Sequence, residues 1–329
     1  MIECIFTIDY EIYGNGEGTL GNLVFEPTKR LKTMFDQIGA KLVFFVEAAE
    51  LEKIEEARSD TAIYDVKSQL KDLYKEGHEI ALHLHPQWYK GYYNDGKWHL
   101  DYSEYNLCVL PETRIAEIVD RSINYLRSVL NDADYTPLSF RAGNWLFQPT
   151  QPAAKILSSR GMKIDSSVFK GGLQYYYKLD YRRAIGNGFF WKFNTNVNIP
   201  DHQGILLELP IHTKMVPFWK MITSKRIDLQ RKGVGSNQTM KQKVYRIFDR
   251  MRLRQPLKLD FCRMSVTELV TMMEEIIEED RHLPDIFRPV VLIGHTKDLV
   301  DLETVEIFLR YLEKQTIKPT TFQAIYRHM

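Results

Sequence analysis

Cysteine is scarce in this chain of 329 residues: Cys4, Cys108 and Cys262 are widely spaced, odd in number and form no CxxC pair. That set argues against a disulfide framework and against a cysteine zinc site, and fits a reducing compartment. No basic segment followed by an apolar core opens the chain, which enters the strand-like run Ile2–Ile8 almost at once. A signal peptide is therefore not expected. No apolar run approaches the roughly 18 residues of a membrane span. Charge of one sign is not in excess, the net being +1, so total charge selects no class of partner. Internal repeats and low-complexity segments are also missing. These absences predict a globular protein of the cytoplasm.

Seven short runs rich in Val, Ile, Leu and Phe read as strands: Ile2–Asp9, Lys41–Val46, Glu79–His85, Leu138–Ala142, Met162–Ser166, Ile205–Leu209 and Val290–His295. Few charges interrupt them, as suits parallel strands buried on both faces. Helical periodicity fills most of the gaps, over 27–38, 65–76, 112–130, 151–160, 265–280 and 304–314. Pro27 and Gly39 mark the first helix as proline and glycine should. Ser265 with Glu268 forms a capping-box pattern. The alternation predicts a parallel α/β fold, and the length suits one barrel-sized domain over residues 1–329.

Three stretches break the alternation and read as insertions, at about 86–110, 169–204 and 212–262. The first two are rich in aromatics, Trp88 among them, which would suit stacking on sugar rings or packing of the loops themselves. The third is basic. Between Lys214 and Lys258 there are 13 Lys or Arg against Asp228 and Asp249, a net of +11 that leaves −10 on the rest of a +1 chain. With Val216-Pro217-Phe218-Trp219 beside it, this segment predicts an anionic partner: a membrane surface or lipid phosphate ahead of nucleic acid, with a peripheral membrane location, or else a solvated face. Gly14, Gly16, Gly18 and Gly21 form a loop with no helix directly behind it, so no phosphate-binding loop is read.

Residues that carry chemistry gather at the ends of the apolar runs. Asp9 and Glu11 are two apart on an extended segment and share a face. Paired carboxylates there are costly unless a cation or hydrogen-bond donors hold them. One can bind a metal while the other takes a proton from metal-bound water. His83 and His85 repeat the spacing, and two neutral imidazoles beside a carboxylate make a site for zinc or a similar divalent ion.

Together with Gly77-His78-Glu79-Ile80, Arg141-Ala142-Gly143-Asn144-Trp145, Asp165-Ser166-Ser167-Val168 and Leu292-Ile293-Gly294-His295, these segments resemble the polysaccharide deacetylases with NodB homology, carbohydrate esterase family four. The resemblance spans residues 7 to 295 and implies an irregular seven-stranded (β/α) barrel. It implies Asp9 as catalytic base, Glu11 and His83 as metal ligands, and Arg141 as the arginine that orients the base. It also implies His295 as general acid and Asp165 as the acid that tunes that histidine, keeping its pKa raised. Gln87 falls where the family's second histidine ligand stands, and His85 is the residue able to substitute.

The expectation that follows is a metal-dependent hydrolase, zinc being the favoured cofactor, that removes an acetyl group from an N-acetylated sugar. Trp88, Asn144, Trp145 and His212 are the expected substrate contacts, with a backbone N–H near Asn144 or Trp145 facing the oxyanion. A cytoplasmic location points to an intracellular intermediate of surface-polysaccharide synthesis. Two rivals remain: hydrolysis of a small non-sugar amide or imide on the same scaffold, and a degenerate barrel that binds glycan or lipid phosphate.

Overall fold

The apolar run at the N-terminus becomes strand β1, Ile2–Tyr10, buried from Cys4 onward. A computed structural model describes the whole chain except residues 187–188, 233–244, 246–248, 250–251 and 328. In chain order the other strands of the main sheet are β2 (Val43–Glu47), β3 (Glu79–Leu84), β4 (Ser139–Ala142), β5 (Ile164–Asp165), β6 (Trp191–Phe193), β7 (Leu206–Glu208) and β8 (Arg288–His295). They run across the sheet as β6-β7-β5-β4-β3-β2-β1-β8, with Pro319–Thr320 added beside β1. Every neighbouring pair on that path is parallel except β6 with β7. All seven expected runs are strands, and β2, β3 and β8 are buried at every residue, as a parallel sheet covered on both faces requires.

The sheet curls into a half-barrel. Single bridges join Ile211 to Phe169 on one side and to Val291 on the other, and Asp260 to Ile293. The margins of the sheet thus approach each other through the chain that follows β7. This is the distorted, barrel-like α/β architecture that the sequence implied.

Helices α1 (Glu26–Gln37), α2 (Ala48–Ala57), α3 (Ile63–Lys75), α4 (Glu112–Leu130) and α5 (Gln151–Ser159) pack outside the strands. Ser224–Lys232, Val266–His282 and Leu302–Lys314 follow later in the chain. The capping box forms at Ser265 and Glu268 as its pattern predicts. No described helix is long and apolar enough to cross a membrane.

Among the elements that escaped the sequence reading, two bear on the main sheet and its rim. Helix α2 follows β2 with no linker, and its cap is Glu47, whose carboxylate accepts the Ala49 N–H at 3.2 Å. Strand β6 lies inside the stretch read as loop; Trp191 and Phe193 are buried while Lys192 between them is exposed, an alternation too short to register.

The basic segment leaves the barrel as a two-stranded hairpin, Thr213–Pro217 paired with Arg254–Lys258. Much of what lies between falls outside the described residues. Several described cations there pair with the protein's own acids. Lys214 meets Glu275, Lys225 meets Asp301 at 2.9 Å, and Arg226 meets Glu268 at 2.8 Å.

Candidate active site

Parallel pairing places the ends of β1, β2, β3, β4 and β8 side by side, since Asp9 is level with His295 and Glu47 is level with His83, which is level with Arg141. In a β/α barrel this C-terminal rim is where chemistry is built. Arg141, fully buried, donates to Asp9 Oδ1 at 2.6 Å and to the Thr7 hydroxyl at 2.9 Å. Burial by itself would raise the Asp9 carboxyl, but Arg141, His83 and His295 hold it below the usual range, so it stands ionised. Asp9 Oδ2 faces His295 Nε2 at 3.4 Å.

Glu11 is divided between two tasks. Its Oε1 takes the Lys297 ammonium at 2.7 Å. Its Oε2 lies 3.2 Å from His85 Nε2 and 3.6 Å from His83 Nε2, with no hydrogen-bond partner of its own. Against the cost of burial, Lys297 and the two histidines keep this carboxyl well below the normal carboxylate range. His83 donates from Nδ1 to the Arg141 carbonyl at 2.9 Å, which directs Nε2 toward Glu11; against burial, Asp9 and Glu11 raise its pKa, and a metal would take the place of the proton at Nε2.

Glu47, missed in the sequence, completes this group. Glu11, Glu47, His83 and His85 each offer a ligand atom within 4.8 Å of the others, all buried. Glu47 Oε2, like Glu11 Oε2, is buried without a partner. Burial, with Glu50 and Glu11 nearby, pushes the Glu47 carboxyl well up. Two orphaned carboxylate oxygens facing two imidazoles fit a divalent cation, which would satisfy both oxygens at once.

Gln87 does not join that group. Its amide lies 3.3 Å from His85 Nδ1, and the Asn144 amide lies 3.2 Å from the same atom. Both therefore address the far side of His85. Both contacts are made by amide nitrogens, which donate, so here Nδ1 accepts and the proton sits on Nε2, toward Glu11 Oε2; a metal at Nε2 would require an amide to turn its oxygen to Nδ1. Gln87 Oε1 is buried and without a partner.

Other expected residues fall elsewhere. The carboxylates beside His295 are Asp9 and Asp298, the latter 3.7 Å from Nδ1. Asp165, expected in that place, instead accepts the Ser167 hydroxyl at 2.7 Å and is linked to Glu208. The pKa of His295 is lowered rather than raised, because burial outweighs Asp9 and Asp298. Trp88 is wholly buried against Trp98, so it packs its loop and is closed to substrate. His212 is buried with Nδ1 unpartnered, and burial takes it down to about 4. Trp145 does face the centre, its ring 6.3 Å from that of His295. Asn144 and Trp145 both sit in the left-handed region, at φ 53 and 60, a strained conformation for a tryptophan.

Lys297 and Asp298 lie two and three residues after His295, yet nothing in sequence assigns them a direction. Lys258 was counted only within the basic run. Its ammonium lies 3.2 Å from the Trp145 ring centre and 4.3 Å from that of Phe169. Burial first, and then Arg263, bring it down to about 7.

Solved structures match this architecture over nearly the whole chain. A Mycobacterium smegmatis protein described as a polysaccharide deacetylase is 16% identical with a TM-score of 0.53, covering 99% of this chain and 89% of its own. The fold is that of the polysaccharide deacetylases. Puue allantoinase shares it at 13% identity and a TM-score of 0.51, with the same coverage of 99% and 89%. A branching enzyme from Thermococcus kodakaraensis is similar at 10% identity and a TM-score of 0.54, over 99% of this chain and 70% of its own. No protein-family model and no curated protein sequence matches the chain. Within this deacetylase-type fold the buried cluster of His, Asp and Glu is able to bind a metal.

Proposed function

We propose that this chain is a metal-dependent hydrolase that releases acetate from an N-acetylated sugar. One observation carries the reading. An arginine-held carboxylate, a buried histidine and a separate His/Glu ligand set meet at one rim, with Asp9 Oδ2 3.4 Å from His295 and 3.9 Å from His83. Glu11, Glu47, His83 and His85 would hold the metal, for which their nitrogen and oxygen donors favour zinc. When bound, that metal supplies Lewis-acid polarisation and a water of lowered pKa.

The remaining chemistry belongs to side chains. Asp9, kept ionised by Arg141, takes the proton of the attacking water. Its Oδ2 faces His295 Nε2, so the proton has a short route to the group that needs it. A backbone N–H near Asn144 or Trp145 faces the developing oxyanion. His295, whose pKa burial lowers, releases a proton readily to the departing amine once it has one.

Metal analysis before and after chelation, with acetate release from N-acetylated sugars followed alongside, tests this. Near-stoichiometric metal and activity lost with it are expected. Acetate release that survives complete chelation would overturn the reading. The allantoinase of the same fold favours a second possibility, a non-sugar amide or imide, which a substrate panel separates. We place the reaction in the cytoplasm, on an intermediate of surface-polysaccharide synthesis. Exposed Phe218, Trp219 and Ile222 beside Lys220 suggest contact with an anionic bilayer. Sedimentation with anionic liposomes at low salt checks that contact.

A further inference from the structure

We propose that Lys258 anchors an anionic group, a carboxylate or a phosphate, carried by the substrate of this site. This rests on the hydrolase reading for the word substrate, but not for the binding itself. The chain path fixes where Lys258 stands. It ends the return strand of the basic hairpin, after which the Leu259 N–H bonds the His212 carbonyl at 2.8 Å and the Phe261 N–H bonds the Ile293 carbonyl at 3.0 Å. The residue is thereby tied beside β8, the strand that ends in His295.

Its ammonium lies over Trp145 and Phe169, and Trp145 in turn borders His295. The other cations around this rim have carboxylates: Arg141 has Asp9 at 2.6 Å, Lys297 has Glu11 at 2.7 Å, and Arg263 has Asp298 at 2.6 Å. Among the described residues no carboxylate lies within ion-pair distance of Lys258. Asp260, two residues on, turns its Oδ1 to the backbone N–H groups of Cys262 and Arg263 at 3.0 and 3.1 Å.

Ring faces attract a cation but satisfy none of its N–H donors. Lys258 is half-buried, so an ammonium that no protein carboxylate neutralises is open to an acceptor of opposite charge from outside. The wall that holds it is set firmly. The Trp145 carbonyl accepts the Tyr181 hydroxyl at 2.7 Å, and the Asn144 carbonyl accepts the Gln174 amide at 3.1 Å. A left-handed tryptophan held this way presents its ring to Lys258 at the cost of local strain, a pattern found at ligand sites.

Calorimetric titration of the full chain with glucose, glucuronate and glucose 1-phosphate tests this, the two anions separating carboxylate from phosphate. At least one anionic sugar should bind more tightly than glucose by about 10-fold or more. Lys258→Met should remove that advantage, and Lys258→Arg should keep part of it. Equal binding of all three sugars would overturn the proposal. So would an anionic preference that survives in Lys258→Met, which would place the anion on the metal instead. A melting curve for each variant secures the comparison against misfolding. No turnover is needed, so anion binding without acetate release would retain this inference and remove the hydrolase. Acetate release from neutral sugars with no anionic preference would do the reverse.

Discussion

Glu47 serves two structures with one carboxylate. Its Oε1 caps α2 and its Oε2 faces the ligand set. Glu47→Gln keeps a cap acceptor but replaces an anionic ligand, so divalent metal should bind at least ~10-fold more weakly with little change in stability. Glu47→Ala should lose the cap as well, lowering stability by about 1 kcal/mol. A chelator-competition titration and a urea melt separate the two effects. His295→Ala should lose about 10²-fold or more in turnover while retaining metal; full activity in that variant would remove His295 from the chemistry. At this scale the sequence was legible where a polar residue interrupts the end of an apolar run. Asp9, Glu11, His83, His85, Arg141 and His295 all stand out in that way and do converge. Asp298 does not, because its approach to His295 depends on the tight turn Thr296–Asp298. Lys258 was hidden by its basic neighbours, since a charge run reads as one solvated face.

Gly143 shows how tightly the elements are fitted at the rim. A Cβ there would lie 2.5 Å from the Leu84 carbonyl and 2.8 Å from His85 Nδ1. Gly143→Ala should therefore displace the end of β3, weakening metal binding and costing roughly 1–3 kcal/mol. Thermal unfolding, together with the visible spectrum of the cobalt-loaded protein, would report both. A spectrum identical to that of the wild type would show that His85 is not crowded. Elements were legible when long and strongly periodic, as in α4, or apolar throughout, as in β8. Helix α2 was lost because it begins on the last residue of β2, without the proline or glycine that marks such a boundary. Strand β6 offers only three residues, too few to show a period.

The far end of the barrel carries a whole-molecule titration. Glu79 opens β3, accepts the Ser139 hydroxyl and the Gln323 N–H at 2.8 Å each, and is raised by burial to about 7 from 4.5. The folded protein holds this proton where the unfolded chain has released it, so stability falls as pH rises from about 4.5 to 7. The loss is up to ~3 kcal/mol. Glu79→Gln keeps an acceptor for Gln323 and a donor for Ser139, and should flatten this part of the profile. The difference in urea midpoint between the two proteins at pH 5 and pH 7 measures it. An unchanged difference would mean that Glu79 titrates normally.

The pairing of β1 with β8 joins Asp9 to His295 across almost the full length of the chain. During synthesis the first strand leaves the ribosome long before its neighbour exists. At about 5–20 residues per second that wait is roughly 15–60 s. For this time β1 can pair with β2, but its other edge has no native partner, and an unpaired apolar edge invites foreign strands. The centre that unites these two strands therefore cannot assemble on a nascent chain until β8 has emerged. Premature termination anywhere before β8 would yield a protein with neither a closed sheet nor an acid for its base.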